Sequence, residues 1–169
     1  IITGCNRGIG KAILETFANN GADVFACVRK ETEGFSEDIR ILSQRTGVSI
    51  TPVYFDFVEK DQVYGGIKTI ISSKKRIDVL VNNAGIASGS LFQMTPLHEL
   101  KNVFEINYFS QILFMQGISR YMSRSKAGSI VNIASTSGLI GESGTMSYGS
   151  SKAALIYATK TIASELGKF

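Results

Sequence analysis

Short, unbroken apolar runs recur along this chain, and each is followed by a segment whose apolar residues return every three to four positions. The runs at 23–28, 49–55, 77–82 and 129–134 are rich in Val and Ile and show little alternation of apolar and polar residues. With a stub at Ile1-Ile2 they make five strands. Between and after them the helical period covers 9–20, 36–46, 60–73, 97–123 and 148–167. A strand that is apolar on both faces needs cover on both, and parallel strands need a crossover that a helix supplies. The pattern therefore predicts an α/β protein with a doubly wound parallel sheet, in three layers αβα. Gly21 and Gly47 stand where helices should stop. Thr95-Pro96 reads as the N-cap and first-turn proline of the fourth helix. No linker, repeat or low-complexity stretch divides the 169 residues, which reads as a single domain.

Composition narrows the class further. At 44% hydrophobic residues with only two prolines, the chain is neither disordered nor fibrous. A chain this long can bury a core without disulfides or metals. Cys5, Cys27 and the single His98 have no metal-ligand spacing, so no metal is expected. Lys and Arg exceed Asp and Glu by 18 to 14, but the excess is dispersed and forms no basic arm. No nucleic-acid partner is therefore expected. No apolar stretch approaches the roughly 20 residues of a membrane span, and no secretory leader is visible. A cytoplasmic location is the resulting expectation. The chain opens on Ile1-Ile2-Thr3-Gly4 as though inside a strand and stops at the end of a helical pattern, which reads as truncation at both ends. In the dinucleotide-binding form of this fold, with strand order 3-2-1-4-5-6, a sixth strand would follow Phe169.

Residues 3–10, Thr-Gly-Cys-Asn-Arg-Gly-Ile-Gly, join the strand stub to the first helix. Gly4, Gly8 and Gly10 answer the demands of a phosphate-binding turn: a tight bend, close backbone approach and close helix packing. The alternative is an ordinary glycine-rich loop, but a position after a strand and before a helix favours the phosphate reading. An acidic residue ending the second strand would select NAD through the ribose hydroxyls. Here Arg29-Lys30 stand in that place, and Arg7 adds a cation nearby, which suits the 2′-phosphate of NADP(H). The alternative is that Arg29 and Lys30 are solvated loop residues. Cys5 reads as a small packed side chain rather than a reactive thiol.

Tyr148 and Lys152 are four apart and share a helix face. An ammonium one turn away lowers the pKa of a phenol, which is otherwise a poor acid at neutral pH. Ser135, ending the fifth strand, is suited to hydrogen-bond a carbonyl oxygen. A second Tyr-x-x-x-Lys match, Tyr64 and Lys68, falls on a helix away from the strands' carboxyl ends and reads as a solvated pair. His98 reads as a solvated first-turn residue, which makes a Ser-His-Asp hydrolase a poor fit.

Three segments together resemble the short-chain dehydrogenase/reductase family: the turn at 3–10, Asn-Asn-Ala-Gly at 82–85, and Tyr148-x-x-x-Lys152. The resemblance covers the whole chain and implies a Rossmann-type, NADP(H)-binding domain. It implies a catalytic set of Asn107, Ser135, Tyr148 and Lys152. Tyr148 would donate the proton and Lys152 would hold the nicotinamide ribose, while Asn107 would keep a water path. It also implies cofactor contacts from Gly4, Asn6, Arg7, Gly8, Ile9, Gly10 and Arg29, from Asp56 and Phe57 at the adenine, and from Asn83, Ala84 and Gly85. Tyr148 and Lys152 would touch the cofactor as well. Without it, Asn107 reads as a polar-face residue, Asp56 as a helix cap, and Asn82-Asn83 as a turn.

Within the family, residues 6–10 and the stretch from Ile133 to Ala153 are similar to bacterial 3-oxoacyl-[acyl-carrier-protein] reductases of fatty-acid synthesis. Reduction of a 3-oxoacyl thioester by NADPH is the implied reaction. The alternatives are a reductase of a sugar, polyol or small ketone, and a non-catalytic NADP(H) sensor, against which the intact Ser135, Tyr148 and Lys152 argue. Phe104, Tyr108, Phe109 and Phe114 make the 97–123 helix aromatic, and by resemblance it pairs subunits in a homo-oligomer, a dimer or tetramer.

Overall fold

The computed structural model describes residues 1–168. Five strands, β1 (Ile2–Thr3), β2 (Val24–Val28), β3 (Ile50–Tyr54), β4 (Val79–Asn82) and β5 (Ser129–Asn132), form one sheet in the order β3-β2-β1-β4-β5. Every pairing is parallel. The helices are α1 (Gly8–Asn19), α2 (Glu33–Thr46), α3 (Lys60–Ser72), α4 (Leu97–Phe104), α5 (Ser110–Met122) and α6 (Met146–Leu166). The expected doubly wound sheet is present in its first five strands, and the order reverses between β1 and β4.

β2 shows why the apolar runs lack alternation. All five of its residues are buried, Phe25 and Cys27 in one core and Val24, Ala26 and Val28 in the other. The first core lies under α3 and α5 and contains Val63, Ile67, Ile70, Phe114, Met115 and Ile118. Phe55, Phe57 and Phe114 meet there with ring centroids 5.2–6.0 Å apart. The second lies under α1 and α2, with Leu14, Ala18, Phe35, Ile39 and Leu42. Cys5 belongs to this second core and Cys27 to the first, so the two thiols face opposite sides of the sheet.

Helix ends follow local chemistry. Gly47 closes α2 at φ +74°, and Gly21 follows α1 at φ +83°, both in the left-handed region that glycine occupies at little cost. α2 begins three residues before the expected position because the Thr32 hydroxyl accepts from the Phe35 amide at 3.3 Å.

Two expectations are corrected. Thr95 is not an N-cap: Pro96 takes that position, and the Thr95 hydroxyl instead donates to the carbonyls of Leu91 and Ser90. The 97–123 helix is unbroken but not α-helical throughout. A π-helical turn at Glu105–Phe109 separates α4 from α5, adding a residue to the local repeat and swinging Asn107 inward. Asn107 is thus fully buried rather than on a polar face.

Candidate active site

A cleft of about 1040 Å³ opens at the carboxyl ends of β1 to β4 where the strand order reverses. All twelve residues expected at the cofactor, apart from Tyr148 and Lys152, line it: Gly4, Asn6, Arg7, Gly8, Ile9, Gly10, Arg29, Asp56, Phe57, Asn83, Ala84 and Gly85.

The glycines have separate reasons. Gly4, at φ +66°, lies so close to the segment leaving β4 that a Cβ would come within 2.8 Å of Ala84 Cα. A Cβ on Gly10 would overlap Gly4 O and Asn83 Nδ2. Gly8, at φ +54°, has open space where its Cβ would be. The turn is therefore a cradle of bare backbone that opens α1.

Several lining residues also serve the fold. The Asn83 side-chain amide donates to Thr3 O and Gly4 O, both at 3.0 Å, tying the end of β4 to the turn. Its backbone amide and that of Ala84 donate to the buried Thr3 hydroxyl at 3.0 Å. Asp56 does not cap α3, whose N-cap is Glu59; its carboxylate accepts from the Val58 amide at 3.0 Å. Phe57 lines the cleft while packing into the aromatic core. Burial pushes the Cys5 thiol up to about 12, and burial likewise raises Cys27, so both are inert neutral thiols.

The rim beside β2 is cationic. Arg7, Arg29 and Lys30 are exposed and line the cleft, while Glu31 accepts from the Ser36 hydroxyl at 3.2 Å and does not line it.

The expected catalytic residues lie beyond Gly85 rather than in the cleft lining. Lys152 is 3% exposed, and its ammonium donates to Ile133 O at 2.8 Å. Desolvation holds its pKa below that of an ordinary lysine. The ammonium sits 5.9 Å from the centre of the Tyr148 ring, in the first turn of α6. A Cβ on Gly85 would come within 3.1 Å of Asn107 Oδ1 and 3.5 Å of Lys152 Nζ, so Gly85 joins the cleft to this cluster. Asn107 Oδ1 accepts from Ile86 N at 2.9 Å, and its Nδ2 donates to Ile86 O at 2.9 Å and Ser151 Oγ at 3.1 Å.

Ser135 lies three residues beyond β5 and opens a 3₁₀ turn at Thr136–Gly138 by accepting from Ser137 N. That turn lies on the start of α6: a Cβ on Gly138 would come within 2.9 Å of Ala153 N, and one on Gly149 within 2.5 Å of Ser137 O. The Ser135 hydroxyl proton has no acceptor among the described residues.

Tyr64 and Lys68 are exposed on α3, away from this region, as expected. Three contributors were missed from sequence. Thr3 and Ser151 are fully buried and hydrogen-bonded to site residues, as is Gln111, whose amide donates to Ala84 O. A lone amide one turn after Asn107, on a face otherwise bearing Phe114, Met115 and Ile118, was a visible signal for Gln111.

The sequence profile of the family described as short chain dehydrogenase matches residues 1–169. A 3-oxoacyl-[acyl-carrier-protein] reductase from Synechocystis is 34% identical over 166 residues, covering 98% of this chain and 67% of its own. The enzyme of that name from Chlamydia muridarum is also 34% identical, over 167 residues, covering 99% and 67%. The structure of L-sorbose reductase from Gluconobacter frateurii, complexed with NADPH and L-sorbose, superposes with a TM-score of 0.93 at 29% identity, covering 99% of this chain and 63% of its own. The chain thus spans about two thirds of the length of these relatives. With its switch-point cleft, backbone cradle and buried lysine beside Tyr148, the chain belongs to the short-chain dehydrogenase family.

Proposed function

We propose that this chain is the cofactor-binding and catalytic part of an NADPH-dependent carbonyl reductase. The observation that carries this reading is Lys152, a buried ammonium held by Ile133 O beside Tyr148, where Gly85 links it to the cleft. A lysine with so little exposure is costly to bury and lends its charge to something.

The cleft fits a dinucleotide. Gly4 and Gly10 leave no room for side chains, so backbone faces the position a pyrophosphate takes at the start of α1. Asp56 and Phe57 line the adenine end. Arg7, Arg29 and Lys30, with Glu31 turned away, favour the 2′-phosphate of NADP(H) over the free hydroxyls of NAD. NADPH, when bound, supplies the hydride that reduces the carbonyl carbon. Ser135 offers a hydrogen bond from its hydroxyl to the carbonyl oxygen and orients it, keeping its own proton. Tyr148 gives up its phenolic proton to that oxygen, and the Lys152 ammonium stabilises the phenolate left behind. Lys152 also holds the nicotinamide ribose, and Asn107 keeps the path by which water reprotonates the pair.

For the substrate we favour a 3-oxoacyl thioester on an acyl carrier protein. Leu91, Phe92, Met94, Leu139 and Ile140, on the two loops flanking the site, and Leu97 at the start of α4 are all more than half exposed. These loops are stitched together by Ser90 N donating to Gly144 O at 3.0 Å. Residues 86–97 and 139–147 contain no Lys or Arg. An apolar acyl chain suits such a rim better than a sugar or polyol. Phe109, more than half exposed at the π turn, and the aromatic cluster around it suit pairing with a second subunit.

The test uses the full-length protein, NADPH and an acetoacetyl thioester, followed by loss of reduced-nicotinamide absorbance. Turnover is expected, and Tyr148→Phe should lower it at least about a thousandfold while NADPH affinity holds within about threefold. NADPH binding without thioester turnover would redirect the reading to another carbonyl substrate.

A further inference from the structure

Gln111 is fully buried near the start of α5, one turn beyond Asn107. Its Nε2 donates to the carbonyl of Ala84, and its Oε1 has no hydrogen-bond partner among the described residues. The orientation is forced, because a flipped amide would set oxygen against the Ala84 oxygen. If Gln111 only filled space, leucine or methionine would do so without an orphaned buried oxygen. The amide is therefore tolerated for the bond it makes.

That bond lands on a pivotal segment. Leaving β4, Ala84 N donates to Thr3 Oγ1, Ala84 O accepts from Gln111, and both polar groups of Ile86 are held by Asn107. On one side Ala84 abuts Gly4 of the phosphate turn; on the other Gly85 abuts Asn107 and Lys152. The segment is thus a rigid rail between the cofactor cradle and the catalytic cluster. Both side chains that hold it from the helical layer come from the π-turn region. Asn107 fixes its outer end and Gln111 its inner end.

We propose that Gln111 is a positioning residue that, through the Ala84 carbonyl, fixes the distance between the phosphate turn and Lys152. The proposal rests on the reductase reading for its kinetic consequence. Its binding consequence is independent of turnover: Gln111 governs how both halves of a dinucleotide are held at once, and not how the adenine half is held alone.

The test compares Gln111→Met, of similar shape but with no donor, and Gln111→Glu in the full-length protein. Affinities for NADPH and for adenosine 2′,5′-bisphosphate are measured by titration, alongside thermal unfolding and steady-state kinetics. For Gln111→Met we expect the bisphosphate affinity to stay within twofold, NADPH to bind about fivefold more weakly, and kcat to fall about tenfold with little change in carbonyl KM. Gln111→Glu can donate to Ala84 O only when protonated, so its kcat should recover toward wild type as pH falls, which a space-filling role would not produce. Unchanged NADPH affinity and kcat in Gln111→Met would overturn the proposal. So would equal weakening toward NADPH and the bisphosphate, which would mark a general loss of structure. If the unaltered protein binds NADPH but reduces no carbonyl, the reaction assignment fails and the two affinities still decide the role of Gln111. If it binds no nicotinamide nucleotide, both fail.

Discussion

The two halves of the site are built from different materials. Around the glycine turn at 3–10 the demands fall on backbone: Gly4 is pressed against Ala84, Gly10 against Gly4 O and Asn83, and Gly4 and Gly8 take positive φ. Around Tyr148 and Lys152 the demands fall on side chains drawn from distant segments. Asn107 reaches Ile86 and Ser151, Lys152 reaches Ile133 O, and Gln111 reaches Ala84. Backbone demands show up in sequence as spaced glycines, since few other residues meet them. A side-chain clamp leaves no local signature, because many residue types can occupy a helix position until its neighbours are known.

The contrast can be broken by substitution, beginning with the largest effect. Lys152→Met should lower turnover about a thousandfold yet leave thermal stability equal or higher, since a buried ammonium is removed from a desolvated site. A large drop in melting temperature would instead show that the ammonium serves the fold. Gly10→Ala should do the reverse: the new methyl overlaps Gly4 O and Asn83 Nδ2, and strain of about 1–3 kcal/mol should appear in denaturant unfolding together with weakened nucleotide binding. On the proposed function, Arg29→Ala should reduce preference for NADPH over NADH about tenfold without altering stability, because the side chain is exposed at the cleft rim, where a 2′-phosphate would meet it.

Alkaline pH offers a smaller and more telling comparison. Lys152 has a folded-state pKa below its unfolded value, so its ammonium destabilises the fold at neutral pH. Its contribution to stability rises as pH climbs from the folded to the unfolded value, while on the proposed function turnover falls with loss of the charge. Cys5 behaves oppositely. Its folded pKa, about 12, lies above that of an unfolded thiol, so its contribution is present below the unfolded value and is lost as pH rises from there toward 12. Cys5→Ala should therefore flatten part of the alkaline loss of stability, and Lys152→Met should remove the alkaline limb of any residual activity. Unfolding midpoints and rates across that range check both signs.

Much of the fold was legible in sequence because burial on two faces leaves unbroken apolar strands, as in Val24–Val28. The periodicity of α1, α2 and α3 located those helices to within a few residues. The π turn was not legible. Glu105 to Phe109 carry no glycine or proline, and the extra residue is held in place by Asn107 and its partners rather than by local preference. Thr95 failed as a cap for a related reason, since its hydroxyl found nearby carbonyls in the folded loop.

By itself, then, the order of residues determined the parallel α/β architecture, the glycine turn between β1 and α1, and the Tyr148–Lys152 pairing. These depend on period, on glycine's conformational range and on spacing along one helix. The tertiary structure alone decided that Asn107 is buried, that Ser135 lies against the start of α6, and that Thr3, Ser151 and Gln111 anchor the site. Each of those facts is a contact between segments far apart in the chain, and its energy exists only once the sheet has brought them together.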